Sequence, residues 1–163
     1  SSYAAPKTVM MASLSENPEP EKKEAFEVQT WNPLRLLVLK VGLTEPAWTS
    51  PWNYQKTQDG VFTCAYCGMD LFDAGSKYDS GSGWPSFWKT RGNVQVVREW
   101  DGRIECSCKR CKSHLGHVFL DGPSKANVDQ ALIADIPDTD PKGRSENSPL
   151  PRFCINGASL RFE

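Results

Sequence analysis

Val94-Gln95-Val96-Val97-Arg98-Glu99-Trp100-Asp101-Gly102-Arg103-Ile104-Glu105-Cys106 decides the fold class. From Val94 to Trp100, β-branched and charged residues sit at near-alternate positions, the two-residue period of a half-buried strand. Asp101-Gly102 reads as a hairpin turn, and Arg103 to Cys106 as a strand returning antiparallel. Short strand signals recur on both sides. Asp59-Gly60 precedes Val61-Phe62-Thr63, and Leu71-Phe72 reads as its return. Val118-Phe119 and Phe153 to Phe162 supply further strands. Near the start, Asn32-Pro33 reads as a helix N-cap followed by proline at the first helical position. Leu34 to Val41 then forms a short apolar helix or strand that Gly42 ends. These pieces predict a mainly β, antiparallel chain with large loops.

A length of 163 residues fits one domain with one core. The net charge of −1 gives no field toward nucleic acid or an anionic membrane, so neither is expected as a partner. No apolar run is long enough to span a bilayer, and the first residues lack a positive-then-apolar signal pattern. Residues 1–28 read as a flexible tail, proline-rich and charged through Ser15 to Glu24. Residues 29–163 read as the folded domain, expected as a monomer, with folded sequence from about Trp31. Pro137, Pro141, Pro149 and Pro151 mark a loop insertion over 125–150, in which Ala126 to Ala134 could form one or two helical turns.

Four of the six cysteines fall into two matched pairs, Cys64-Ala65-Tyr66-Cys67 and Cys108-Lys109-Arg110-Cys111. Each Cys-x-x-Cys pair can bite a metal from one knuckle, and two knuckles complete a thiolate tetrahedron around Zn²⁺. Four protein ligands leave no position for substrate, so the zinc is expected to be structural. Gly68 suits the tight turn after the first pair. Metal thiolates suit a reducing compartment, so a cytoplasmic location is expected, or an organelle if a precursor segment was removed. Cys106 is surplus, a strand residue rather than a fifth ligand.

Cys154 stands apart from the other thiols, between Arg152 and Asn156. Two readings are open. It is a small buried hydrophobe on a strand, or a reactive thiol whose neighbouring cation favours thiolate over thiol. The only two histidines, His114 and His117, flank Leu115-Gly116. They read as zinc ligands, as satisfied core residues, or as acid/base groups beside Cys154. In Asp79-Ser80-Gly81-Ser82-Gly83-Trp84-Pro85-Ser86-Phe87-Trp88, the glycines permit unusual backbone angles. Phe87 and Trp88 read as core. Trp84 reads as the lining of a pocket for a small apolar group.

Together, these motifs resemble methionine sulfoxide reductase B. The resemblance is carried by Gly42-Leu43-Thr44-Glu45-Pro46, the two cysteine pairs, Gly83-Trp84-Pro85-Ser86-Phe87, His114 to Phe119, Asp121-Gly122-Pro123 and Arg152-Phe153-Cys154-Ile155-Asn156. It covers about residues 30 to 163 and implies two antiparallel β-sheets with few short helices and a structural zinc site. It implies an enzyme that reduces the R epimer of methionine sulfoxide, free or in oxidised proteins, through a Cys154 sulfenic acid. His114, His117 and Asn156 then orient and protonate the sulfoxide oxygen, and Arg152 flanks the nucleophile. Trp84 packs on the substrate methyl, and Phe119 and Asp121 belong to the surrounding pocket. Where many members carry a resolving cysteine, this chain has Ser82. Recycling then falls to thioredoxin or another external thiol, or to Cys106.

Overall fold

The computed structural model describes residues 24–133 and 148–163. Its strands are β1 (Val61–Cys64), β2 (Asp70–Asp73), β3 (Lys77–Tyr78), β4 (Ser86–Phe87), β5 (Val94–Arg98), β6 (Ile104–Cys108), β7 (His114–Phe119), β8 (Arg152–Ile155) and β9 (Leu160–Phe162). They form a three-stranded sheet, β2-β1-β9, and a six-stranded sheet, β3-β4-β8-β7-β6-β5. Every pairing is antiparallel, as the resemblance implied.

Side-chain alternation gives the large sheet one dry face and one working face. Along β8, Phe153 and Ile155 are buried, while Arg152 and Cys154 point the other way and are half-buried. Along β6, Ile104, Cys106 and Cys108 are buried and Glu105 and Ser107 are not. The dry face meets the small sheet through aromatic rings. Phe72 stacks on Phe87 with centroids 4.3 Å apart, and Phe62 meets Phe87 edge-on at 5.1 Å. Each fully buried Phe contributes roughly 1.5–3 kcal/mol of apolar transfer. Phe87 and Trp88 thus belong to the core, as read.

The β5–β6 hairpin closes on Glu99 and Arg103, whose N–H and carbonyl bond at 2.7 Å. Trp100 and Asp101 make the turn, and Gly102 follows in the left-handed region at φ 87°. Asn32 caps helix α1 (Pro33–Leu36), its side chain accepting from the N–H groups of Leu34 and Arg35. A π-helical turn, Leu37–Val41, continues it, buries Val38 and Leu39, and ends at left-handed Gly42.

Residues before Trp31 already pack against the domain. Phe26 packs edge-on against Tyr66 with centroids 5.8 Å apart, and the Gln29 N–H donates to the Tyr66 carbonyl. Part of the stretch read as a tail therefore lies against the first knuckle. The rest of it, and most of the 125–150 insertion, lie outside the described residues. Within that insertion a helical turn, α2 (Gln130–Ile133), follows a 3₁₀ turn at Lys125–Asn127.

Candidate active site

The two knuckles share one backbone plan. The Gly68 N–H bonds the Cys64 carbonyl and the Lys112 N–H bonds the Cys108 carbonyl, both at 2.8 Å. The residue after each pair is left-handed, Gly68 at φ 75° and Lys112 at φ 60°. Sequence marked the first turn with a glycine and left the second unmarked. Cys64 Sγ lies 3.6 Å from Cys111 Sγ, and Cys67 Sγ 3.6 Å from Cys108 Sγ. All four sulfurs fall within 4.8 Å of one another. A tetrahedron with metal–sulfur bonds of about 2.3 Å has edges of about 3.8 Å. The four thiols are therefore spaced to hold a metal ion. Neither histidine belongs to this cluster.

The working face of the large sheet carries the other chemistry. A single cross-strand row runs Glu105, His117, Cys154, Ser86, Tyr78. Over it opens a cleft of about 180 Å³ lined by Trp84, Phe119, His117, Cys154, Thr44, Arg103, Gly116 and Asn156. Two larger hollows, of about 490 and 430 Å³, flank Trp84 and Arg152, but neither is lined by Cys154. Of these three, the small cleft joins a thiol, an imidazole and two aromatic walls.

Each histidine faces a carboxylate. His114 Nδ1 is 3.1 Å from Glu105 Oε1, and His117 Nε2 is 3.5 Å from Glu99 Oε2. A carboxylate only accepts, so the His114 Nδ1 facing Glu105 carries hydrogen, whereas the longer His117–Glu99 approach is not a hydrogen bond. The two rings pack edge-on at 5.7 Å. His117 lines the cleft and His114 stands behind it, and the Nε2 of each is buried without a hydrogen-bond partner among the described residues.

Arg152 does not line the cleft. Its guanidinium holds Asp121 through two hydrogen bonds, of 2.9 and 3.2 Å, and lies over the Phe119 ring at 4.2 Å. Those hydrogen bonds, with the cation's charge, keep the Asp121 carboxyl below its usual range. Asp121 is thus Arg152's partner and lines the neighbouring hollow with it rather than this cleft. The Cys154 thiol also departs from expectation. Burial pushes it up, and this outweighs the opposing pull of Ser82 and Arg152.

Asn156 is braced at both ends. Its Nδ2 donates to the Leu115 carbonyl at 3.0 Å, and its Oδ1 accepts the Glu45 N–H at 2.9 Å. The Glu45 carbonyl in turn accepts the Trp84 indole N–H at 3.0 Å. The Glu45 carboxylate takes the N–H groups of Gly157 and Ala158. Glu45 was quoted in a motif but given no task, because its partners lie up to 113 residues away. Glu99 and Glu105 were missed likewise. They sit in a hairpin whose signals are local, and only pairing brings them to the histidines.

Cys106 and Cys154 occupy opposite faces. Cys106 is fully buried in the core cluster, aligned with Gly116 and Ile155, and burial pushes its thiol up. Ser82 Oγ, by contrast, lies 3.8 Å from Cys154 Sγ.

Comparison with known proteins settles the lineage. The family model for the SelR domain matches residues 32–131. The chain belongs to the SelR domain family. It is 38% identical over 131 residues to the peptide methionine sulfoxide reductase MsrB of Pseudomonas aeruginosa, covering 77% of this chain and 80% of that protein. It is 36% identical over 159 residues to the protein of that name in Methylibium petroleiphilum, covering 94% and 98%. A Methanosarcina barkeri protein of the same name is 36% identical over 148 residues, covering 88% and 87%. This SelR-family chain is accordingly an oxidoreductase of the methionine sulfoxide reductase B group. The family match ends before Arg152, Cys154 and Asn156; strand pairing sets Cys154 opposite His117 and Arg152 opposite Phe119.

Proposed function

We propose that the chain reduces the R epimer of methionine sulfoxide, free or in oxidised proteins, with Cys154 as nucleophile. The observation that carries this reading is the pairing of Cys154 with His117 on adjacent strands, at the base of a cleft walled by Trp84 and Phe119. The sulfoxide methyl packs on the Trp84 indole, which Glu45 holds in place. The sulfoxide oxygen turns toward His117, where a proton is available as negative charge develops. The Cys154 thiolate attacks the sulfoxide sulfur. The oxygen passes to Cys154 as sulfenic acid, and the substrate leaves as the thioether. The substrate sulfur gains two electrons and Cys154 loses two. His114, backed by Glu105, keeps the His117 ring in position. Epimer choice follows because methyl, oxygen and side chain each need a separate wall.

An external thiol, thioredoxin or a smaller one, recycles the enzyme. One thiol condenses with the sulfenic acid, releasing water and forming a mixed disulfide, and a second thiol frees Cys154. The core position of Cys106 supports this route over an internal one. We assign the four-thiolate site to zinc, which supplies a structural clamp between the knuckles, and the protein to a reducing, cytoplasmic-type compartment, acting as a monomer. Among the described residues no helix is long and apolar enough to cross a membrane.

Epimer-resolved turnover tests the reading. With dithiothreitol or thioredoxin, wild type consumes R-sulfoxide and leaves the S form, while Cys154→Ser consumes neither and retains its metal. Turnover by Cys154→Ser, or none by the metal-loaded wild type, overturns it.

A further inference from the structure

Three hydroxyls gather beside the reacting sulfur. Ser82 Oγ is 3.8 Å from Cys154 Sγ. Ser80 Oγ is 2.8 Å from Ser82 Oγ and 2.7 Å from Ser86 Oγ. Ser86 is fully buried and faces Cys154 in register across β4 and β8. Left-handed Gly81 and Gly83, at φ 70° and 89°, curl the loop so that these oxygens converge.

Hydrogen counting sets the direction. Each hydroxyl has one hydrogen to give. Ser82 accepts from the Ser80 hydroxyl at 2.8 Å and from the Trp84 N–H at 3.4 Å. Its own hydrogen then has three acceptors in reach: the Trp84 carbonyl at 3.4 Å, Ser86 Oγ at 3.5 Å and Cys154 Sγ at 3.8 Å. The two oxygens are long for O–H···O contacts, whereas the larger sulfur accepts at greater distance. Once ionised, Cys154 is the one charged acceptor of the three, and charged acceptors hold a donor about twice as strongly. Ser86 Oγ also reaches the Trp84 carbonyl at 3.1 Å, but its shorter 2.7 Å contact with Ser80, whose own hydrogen goes to Ser82, requires the Ser86 hydrogen, and that order aims the last hydrogen at sulfur. Chained hydroxyls polarise one another in the same direction.

We propose that Ser82 is a catalytic residue whose hydroxyl donates to the Cys154 thiolate, with Ser80 and Ser86 as positioning residues that complete a one-way relay ending on that sulfur. The inference rests on Cys154 being the reacting thiol. Among the influences that oppose the effect of burial on Cys154, the Ser82 hydrogen bond is the largest, ahead of Arg152. Other titratable groups stand around Cys154, among them Arg103 at the cleft. Arg152 lies on its own strand, His117 with Glu99 across β7, Tyr78 on β3, Asp121 beyond β7 and Cys106 on the core face of β6. Removing one hydroxyl leaves all of them in place.

The test is the pH dependence of Cys154 alkylation by iodoacetamide in the metal-loaded full chain, followed by peptide mass spectrometry. In Ser82→Ala the midpoint rises and the rate at neutral pH falls about tenfold. Ser82→Thr, which keeps the hydroxyl, restores the wild-type profile, and Ser80→Ala shifts it the same way by less. An unmoved midpoint in folded Ser82→Ala overturns the relay, whatever the turnover. If Ser82→Ala does not fold, an unmoved midpoint in Ser80→Ala does so. A shifted midpoint in a protein whose wild type reduces no sulfoxide leaves the relay standing and removes the reductase reading.

Discussion

The main-chain N–H of Glu45 donates to Oδ1 of Asn156 at 2.9 Å. Through this contact the loop that steadies Trp84 is tied to the segment just past Cys154. The Trp84 wall and the strand of the proposed nucleophile are therefore linked through one amide.

Asn156→Ala leaves the Glu45 N–H and the Leu115 carbonyl without that side-chain partner. The expected cost is about 1–3 kcal/mol, a fall in Tm of roughly 2–4 °C per kcal/mol. Because Trp84 loosens, KM for the sulfoxide rises while metal content stays the same. Calorimetry and steady-state kinetics on one preparation check both.

Cys106→Ala keeps recycling intact with thioredoxin, because the residue faces the core and not the cleft. On the proposed mechanism, oxidised wild type should carry a sulfenic acid on Cys154 and no Cys106–Cys154 disulfide when mapped by mass spectrometry. Ser82→Cys does the opposite. The new thiol stands where a hydroxyl now lies 3.8 Å from Cys154 Sγ. Intact-mass measurement after one turnover should find it two hydrogens lighter.

Activity should rise with pH. As the proposed nucleophile Cys154 would react as thiolate, and burial holds its thiol above the usual range, so the thiolate fraction of the free enzyme climbs from neutral into alkaline solution. Arg152→Ala removes a cation that favours the thiolate and moves the rise further alkaline, slowing neutral-pH kcat/KM by about tenfold. In the same variant Asp121 loses its partner and its carboxyl returns toward the ordinary range. A kcat/KM profile that falls from neutral to alkaline pH contradicts this account.

Lys112 holds a left-handed backbone at φ 60° without being glycine. Lys112→Gly relieves about 1 kcal/mol of strain, set against an exposed contact from Lys112 Nζ to Gln95. The melting temperature should rise by roughly 2–4 °C. An unchanged or lower value shows that the second knuckle stores no strain.

Cys64→Ala opens the thiolate cluster. A structural zinc contributes on the order of 10 kcal/mol, comparable with the whole stability of a domain this size. The variant should lose its metal and unfold at moderate temperature, measured by elemental analysis and circular dichroism. A fully folded, active, metal-free variant rules out a structural clamp.

Sequence alone determined the features whose causes are local. Asn32-Pro33 opens a helix and Gly42 closes one because caps and left-handed residues act within a turn of themselves. The hairpin, read as turning at Asp101-Gly102 and found to turn one residue earlier at Trp100-Asp101, and the two cysteine pairs follow for the same reason: short spacing dictates geometry. Tertiary structure decided which thiol faces which way. Cys106 and Cys154 both read as lone cysteines on strands, and only register across β6, β7 and β8 sends one into the core and the other to the cleft. It also decided that Glu45, Glu99 and Glu105 serve the site, and that Asp121 and Arg152 serve each other. Contacts of that kind depend on strands far apart in the chain lying side by side, and no short stretch of sequence carries that information.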